Sequence, residues 1–461
     1  MRDVVLAVDV GSTWCKAAYL DPDGRTIATG RAYTRDIPVH REATLTRFWQ
    51  AFQDAVRAAN AGLSGRTRPA AIGISCRALF GICLDRAGAG FLPTWDVALD
   101  RRSSPDLRQA ASVDVWGNKH PTAHGYAIGQ TGLMLWLKRE RPEEWRNIWR
   151  VGALHDYIVY QMTGAWVTDP TSGPGQLEWP AEIVALTGLS PDAWPLILEP
   201  HGIAGALTEA AGQALGLPAG IPVVAGMHDG AAANAGVGAV EVGDACLTLG
   251  TNFVLRAVNG APLPIPATGY VVAPGRWAWV NNVPGASLQL DIVAQSLLSH
   301  VPGVGERHAR LGQLASAIAA GATGLTLDLI QPGREGELRL AVEAAQRAGH
   351  ADGAIYRAII EAIALGVRNL LRRAQGHGAR PQRFVATGGS AQNLAFVHVL
   401  AAVLGAPIEI GCTEGGVLGV GMAAAVGGGW YATMDEATAR MSRPGPIIQP
   451  DTLAVAAYRD I

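Results

Sequence analysis

The chain is poor in the residues that staple small or secreted scaffolds. Five of its 461 residues are cysteine (Cys15, Cys76, Cys83, Cys246 and Cys412), and no two stand in a Cys-x-x-Cys pair. An odd, scattered set argues against a disulfide framework or a thiolate metal site and suits a reducing cytoplasm. Lysine is scarcer still, at three residues, and the net charge of −2 leaves no basic footprint for nucleic acid. There is no apolar run of about 18 residues, so no membrane span is expected. The opening "MRDVVLAVDV" carries Asp3 and Asp9 and reads as a first strand rather than a signal peptide. No GxxxxGK[ST] occurs, which excludes a Walker-type phosphate loop.

What is present is material for large cores. Hydrophobic residues make up 49% and charged residues 16%, so disorder need not be invoked. At about 100–200 residues per domain, two or three domains are expected. "VVLAVDV", "GSTWCKAAYL" and "GRTIATGRAYTR" read as three strands. A helix follows, with Leu45, Phe48, Trp49, Phe52 and Val56 at helical spacing, and then the short strand "AAIGIS". That order is α/β. Residues 100–215 read as mixed and mostly helical. The strand Ile221–Ala225 closes a first domain, 1–241. "DACLTLGTNFVLRAV" then opens a second, 242–461, by echoing the strand, glycine turn and strand of the N-terminus. Within it, Ile355, Ile359, Ile363 and Val367 mark one face of a long amphipathic helix. Residues 430–461 read as a polar tail capping the second domain.

Several short stretches could carry chemistry. "DVGSTWCK" places Asp9, Gly11, Ser12, Thr13 and Lys16 at a strand turn, where small residues let backbone N–H groups approach a phosphate and an acid could hold Mg²⁺. The same composition makes ordinary hairpin turns. "LGTN", with Gly250 and Thr251, repeats that ambiguity. "ATGGSAQN" sets Gly388 and Gly389 between a strand and a helix, where a nucleotide base or ribose could lie, or where the turn simply needs positive φ. "SCRALFG" and "LDRRS" offer Arg77, Asp100 and Arg102 to a hydroxylated ligand, or to solvent. "GVGMAA" fits GxGxxA but suits close helix packing. Asp229 ends the buried run "IPVVAGMHDG". It is either the N-cap of a helix or an acid aimed at the crevice beyond a strand end. His228 beside it reads as a packing or hydrogen-bonding residue.

Taken in order, these stretches resemble the FGGY family of carbohydrate kinases from about residue 4 to 428. "DVGSTWCK" resembles the family's first phosphate motif. "HDYIVYQMTGAWVTDPTSG" resembles its Leu-Thr-Gly and Thr-Asp segment. "GLPAGIPVVAGMHDGAAANAGVGAVEVGDACLTLGTN" resembles its Gly-x-x-Asp and Gly-Thr run, and "ATGGSAQNLAFVHVLAAVLGAPI" its adenosine motif. The resemblance implies two actin-like (ribonuclease H-like) α/β domains hinged around a central cleft, with the sugar mostly on the first and ATP mostly on the second. It implies Asp9 at Mg²⁺, and Gly11, Ser12, Thr13, Lys16, Gly250 and Thr251 at the phosphates. Gly388, Gly389 and Asn393 would border the adenosine. Asp229 would be the base, with Arg77, Asp100 and Arg102 at the substrate. The implied reaction moves the γ-phosphate of ATP to a hydroxyl of a ketose such as xylulose, or of a polyol.

The chain departs from the pentulose kinases on the substrate side. "CRALFG" stands where many carry Gly-Gln-x-His-Gly. Ala98, Asp100 and Arg102 stand where many carry Trp-x-Asp-x-Arg, and Ala401-Ala402 replaces an Ala-Asp. A kinase of a sugar-like signal molecule therefore stays open. So do a sugar-independent ATPase and a non-catalytic sugar sensor. A homodimer is compatible with the sequence and not demanded by it.

Overall fold

The first strand sets the architecture. β1 (Val5–Val10) is buried along its length except at Asp9, which is half-buried. A strand apolar on both faces belongs inside a sheet covered on both sides. The computed structural model describes residues 3–37, 44–63, 68–77, 79–91, 125–261, 269–321, 324–331 and 333–459. By contact the chain forms two units. The first comprises residues 1–240, 260–278 and 415–443, and the second 241–259, 279–414 and 444–461.

In the first unit β1 runs through the Gly11–Thr13 turn into β2 (Trp14–Leu20), with β3 (Thr26–Tyr33) beyond it. Then come α1 (Thr44–Ala61) and β4 (Ile72–Cys76). α1 lays Leu45, Phe48, Phe52 and Val56 into the core, the face its spacing predicts. β5 (Phe80–Leu84), β6 (Gly90–Phe91) and β7 (Arg150–Ala153) form a small satellite sheet. Two helices share the stretch "GLMLWLKRERPEEW", α2 (Gly125–Glu140) and α3 (Pro142–Arg146). Pro142 sits at the start of the second, because its ring cannot continue the first. α4 (Leu154–Thr163), β8 (Val167–Thr168), α5 (Ala181–Thr187), β9 (Leu196–Ile197), β10 (Ile203–Ala206) and α6 (Glu209–Leu215) lead to β11 (Pro222–Val224). The strand read over 221–225 breaks at Gly226. There φ is +81° and a Cβ would lie 2.1 Å from the Ile74 carbonyl oxygen. The chain resumes as β12 (Met227–His228) and enters α7 (Asp229–Gly236). The main sheet has the order β10-β11-β4-β1-β2-β3, with β12 also on β4.

The second unit opens with the hairpin β13 (Asp244–Leu249) and β14 (Phe253–Asn259). β15 (Gly269–Ala273) belongs to the first unit, and β16 (Arg276–Val283) belongs to the second from Trp279 onward. α8 (Ala286–Leu297), α9 (Val304–Ser316), α10 (Glu335–Arg347), the long α11 (Asp352–Gly376), β17 (Arg383–Thr387), α12 (Leu394–Leu404) and β18 (Ile408–Ile410) follow. Ile355, Ile359, Ile363 and Val367 of α11 are all buried. The sheet runs β16-β14-β13-β17-β18-β19, closing on β19 (Ile447–Ile448). Each unit therefore has an antiparallel hairpin whose first strand takes a parallel strand on its other side, β4 on β1 and β17 on β13.

The segment after β18 divides. α13 (Gly415–Gly427) and α14 (Met434–Met441) count with the first unit, whereas β19 and α15 (Thr452–Arg459) count with the second. The tail read as a single cap on the second domain is thus shared out. α13 is buried on every side, as a helix without a polar face must be. It packs on α7 backbone to backbone: a Cβ on Gly419 would lie 1.9 Å from the Ala232 carbonyl oxygen.

Candidate active site

In the first unit three parallel strand ends place the chemistry. Register pairs Asp9 of β1 with Ser75 of β4, and Ser75 with Met227 of β12. One step on, Val10, Cys76 and His228 are level. Gly11, Arg77 and Asp229 therefore leave the sheet side by side, at the C-terminal edge where α/β sheets bind ligands. The Ser75 hydroxyl donates to Asp9 Oδ1 at 2.7 Å. Gly416, in the first turn of α13, approaches the other side of that carboxylate, where a Cβ would sit 3.1 Å from Asp9 Oδ2. The buried Cys76 thiol registers both acids. Burial raises its pKa most, and Cys15, Asp9 and Asp229 add to the rise.

The turn after Asp9 is closed by its own backbone. The Gly11 N–H donates to the Trp14 carbonyl at 3.0 Å, and the Thr34 hydroxyl donates to the Gly11 carbonyl at 2.9 Å. Ser12 is exposed at its tip, with Thr13 half-buried beside it. Lys16 is half-buried on β2, register partner of Asp9.

Asp229 is the first residue of α7, with a third of its side chain exposed. It is not the helix cap; His228 is. The Gly230 N–H donates to His228 Nδ1 at 3.1 Å, while His228 Nε2 lies 3.0 Å from Asp229 Oδ1. Arg77 is half-buried. Burial pulls its pKa down and the Asp229 charge pulls it back up, which puts the two side chains in each other's field. Asp100 and Arg102 lie outside the described residues.

In the second unit the Gly250–Asn252 turn between β13 and β14 is tied to α8. The Ser287 hydroxyl donates to the Gly250 carbonyl at 2.5 Å and meets the Ser390 hydroxyl at 2.8 Å. Asn252 accepts from the Gly285 N–H at 2.9 Å, and Thr251 is exposed. Gly388 needs its lack of a side chain: φ is +100° and a Cβ would lie 2.7 Å from the Leu249 carbonyl oxygen. Gly389 next to it would meet nothing within 4 Å, so the turn offers a bare face. Asn393 caps α12, accepting from the Phe396 N–H, and its amide donates to the Tyr356 hydroxyl at 2.8 Å. Ser75, Ser287 and the His228 cap went unread in the sequence. The roles of Ser75 and Ser287 come from strand register and long-range packing, whereas the His228 cap is local.

Two α/β units, each carrying a glycine turn beside a parallel strand edge and the first also presenting carboxylates there, define a phosphotransferase of the actin-like ATPase fold. The chain belongs to the FGGY family of carbohydrate kinases. The family's N-terminal domain matches residues 4–236 and its C-terminal domain 317–428. It is therefore an ATP-dependent sugar phosphotransferase. Its sequence is 26% identical to an autoinducer-2 kinase of Yersinia pestis, over 99% of this chain and 92% of that one. Its fold matches a xylulose kinase of Rhodospirillum rubrum, with TM-score 0.75, 24% identity, and coverage of 99% and 96% of the two chains. It also matches a gluconate kinase of Lactobacillus acidophilus, with TM-score 0.77, 18% identity, and coverage of 100% and 96%. Among the described residues no helix is long and apolar enough to cross a membrane, and no disulfide is formed.

Proposed function

We propose that the chain transfers the γ-phosphoryl group of ATP to a hydroxyl of a small ketose or polyol, with Asp229 as the general base. The observation that carries this reading is that Arg77 and Asp229 leave one sheet edge beside Gly11, with Asp9 two residues back on the same strand as Gly11. Phosphoryl transfer needs positioning and charge neutralisation more than covalent chemistry. Asp229 takes the proton of the attacking hydroxyl. The acceptor's hydroxyl oxygen bonds the γ-phosphorus as the bond to the bridging β–γ oxygen breaks, and ADP leaves. A carboxylate at the first turn of a helix is held charged by the helix N-terminus, the state a base requires. Gly11, Ser12, Thr13 and Lys16, with Gly250 and Thr251, take the phosphates. Gly388 and Gly389 border the adenosine, where Asn393 holds the following helix. Arg77, with Asp100 and Arg102, contacts the sugar.

Mg²⁺ fits as an ion carried by ATP. Among the described residues no group of three His, Cys, Asp or Glu side chains could form a cage, but Asp9 offers the hard oxygen that Mg²⁺ shares with phosphates. Bound there, it would neutralise charge on the β- and γ-phosphates. Buried cysteines outside any disulfide suit a reducing cytoplasm. A second reading, phosphorylation of a sugar-like signal molecule, is favoured by the likeness to autoinducer-2 kinase over nearly the whole chain.

The test is ADP release with Mg·ATP alone and with D-xylulose, D-gluconate, glycerol and autoinducer-2 as acceptors. Acceptor-dependent release is expected, and abolition by Asp229→Asn. Release that ignores every acceptor marks an ATPase. Acceptor binding without release marks a sensor. Either result ends the kinase reading.

A further inference from the structure

His228 caps a helix, a task to which Ser, Thr, Asp and Asn are better suited. Imidazole differs from those side chains in having two ring nitrogens that face different ways. Here both are engaged. The Gly230 backbone N–H can only donate, so Nδ1, 3.1 Å away, must be the bare acceptor nitrogen. In the neutral ring the proton then sits on Nε2, the nitrogen that lies 3.0 Å from Asp229 Oδ1. The backbone thus selects the tautomer that sets a proton beside the carboxylate.

The ring itself is fixed from several sides. It is buried, with its side chain 7% exposed, and packs edge-on against Tyr270 of β15 at 4.5 Å between centroids. Its register partner on β4 is Cys76, with Arg77 next along that strand. The His228 backbone is held as well: its N–H donates to the Thr171 hydroxyl at 2.8 Å. That hydroxyl donates to Asp169 Oδ1 at 2.5 Å, and the Thr171 N–H binds the same oxygen at 2.7 Å. Asp169 is fully buried.

We propose that His228 is a positioning residue for Asp229, through a line running Asp169, Thr171, His228, Asp229. The inference rests on reading Asp229 as the base. By standing 3.0 Å from Oδ1, the imidazole N–H restrains the rotamer in which the carboxylate meets the substrate hydroxyl. A serine or asparagine cap would hold the helix equally well but would take this contact away from the carboxylate. That difference accounts for a histidine at this position.

The two tasks of the ring separate by substitution. In His228→Asn the amide oxygen replaces Nδ1 as cap acceptor, but the shorter side chain does not bring a donor to Asp229. In His228→Gln the amide N–H reaches the place of Nε2, but the cap is lost. His228→Ala loses both. The variants are compared by melting temperature and by kcat and KM for ATP, in ADP release with the acceptor panel above. His228→Asn is expected to melt near the parent yet lose about 10- to 100-fold in kcat, the usual scale for losing an orienting partner, with KM for ATP unchanged. His228→Gln is expected to melt about 2–4 °C lower and to restore most of the turnover that His228→Ala loses. Rates that simply follow melting temperature across the three variants, or an undiminished kcat in His228→Asn, overturn the proposal. Asp229→Asn is the separate control. If it still turns over, the base reading fails; if it is dead while His228→Asn is not slowed, only the positioning inference fails. Nitrogen NMR of histidine-labelled protein needs no acceptor: a proton on Nε2 of His228 is expected, and one on Nδ1 alone overturns the proposal.

Discussion

Ser75 and Asp9 stand opposite each other on adjacent parallel strands, and the buried Ser75 hydroxyl donates to Asp9 Oδ1 at 2.7 Å. The bond orients the carboxylate that the proposed reading sets at Mg·ATP. A hydrogen bond to a charged group contributes about 1.5–3 kcal/mol. Ser75→Ala is therefore expected to cost about 10- to 100-fold in kcat/KM for Mg·ATP and to raise the Mg²⁺ concentration needed for half-maximal rate. Titrating rate against Mg²⁺ checks this. An unaltered Mg²⁺ requirement would show that the serine does not support a metal-facing acid.

The second unit has its counterpart in Ser287, which joins the Gly250 carbonyl to Ser390 of the glycine turn. Ser287→Ala should loosen both turns together and, if they hold ATP as proposed, raise KM for ATP several-fold, with a smaller effect on kcat. Gly388→Ala should do more. It forces a side chain into positive φ and into the Leu249 carbonyl at 2.7 Å, so nucleotide binding should fall while the first unit's acceptor contacts stay intact. ATP binding followed by calorimetry decides. Equal affinity in parent and Gly388→Ala would remove this turn from the nucleotide site.

These cases mark what could be read from sequence. The Gly11–Thr13 and Gly250–Asn252 turns were legible because turn chemistry is local and glycine, serine and threonine advertise it. Ser75 was not: its partner lies 66 residues away, and only the β1–β4 register joins them. At Asp229 the local pattern left two roles open, and the structure gives one of them, the cap, to His228. Histidine carries no strong cap propensity, so nothing in "GMHDGAAA" marked His228 as the cap. The two-domain α/β fold followed from strand and helix order. The return of α13 and α14 to the first unit did not, because chain order is silent about where a wholly apolar helix packs.

That returning helix gives a prediction on stability. Gly236, Gly415 and Gly419 let α7 and α13 touch through their backbones. A Cβ on Gly419 would lie 1.9 Å from the Ala232 oxygen, and one on Gly236 2.0 Å from the Gly415 oxygen. Neither obstacle is a side chain that could swing aside. Gly419→Ala should cost about 1–3 kcal/mol or more, and with it the seating of Asp229 and of Asp9 beside Gly416. Gly336→Ala, in α10 with nothing within 4 Å of the added methyl, serves as the contrast and should lose no stability. Urea unfolding of the pair tests the packing argument. Similar midpoints for the two variants would mean that the helices can part at little cost.

A pH dependence of stability follows from His155, which is buried in α4 with Nδ1 3.1 Å from Asp156 Oδ1. Burial works to lower its pKa. The hydrogen bond to Asp156 and the charges of Asp169 and Asp156 outweigh burial, and the net shift is upward. The folded state therefore binds a proton that the unfolded chain, with an imidazole pKa near 6.5, gives up sooner. The stabilisation is fully present below about pH 6.5 and is lost as pH rises through the raised folded value. Asp169, whose pKa burial also raises, contributes in the same direction at lower pH, from the ordinary carboxylate value upward. The melting temperature of the parent should accordingly fall from about pH 6 to about pH 9. In His155→Gln that fall should be shallower, because the amide fills much of the ring's space and does not titrate. Parallel melting curves for parent and variant across that range would place the proton elsewhere.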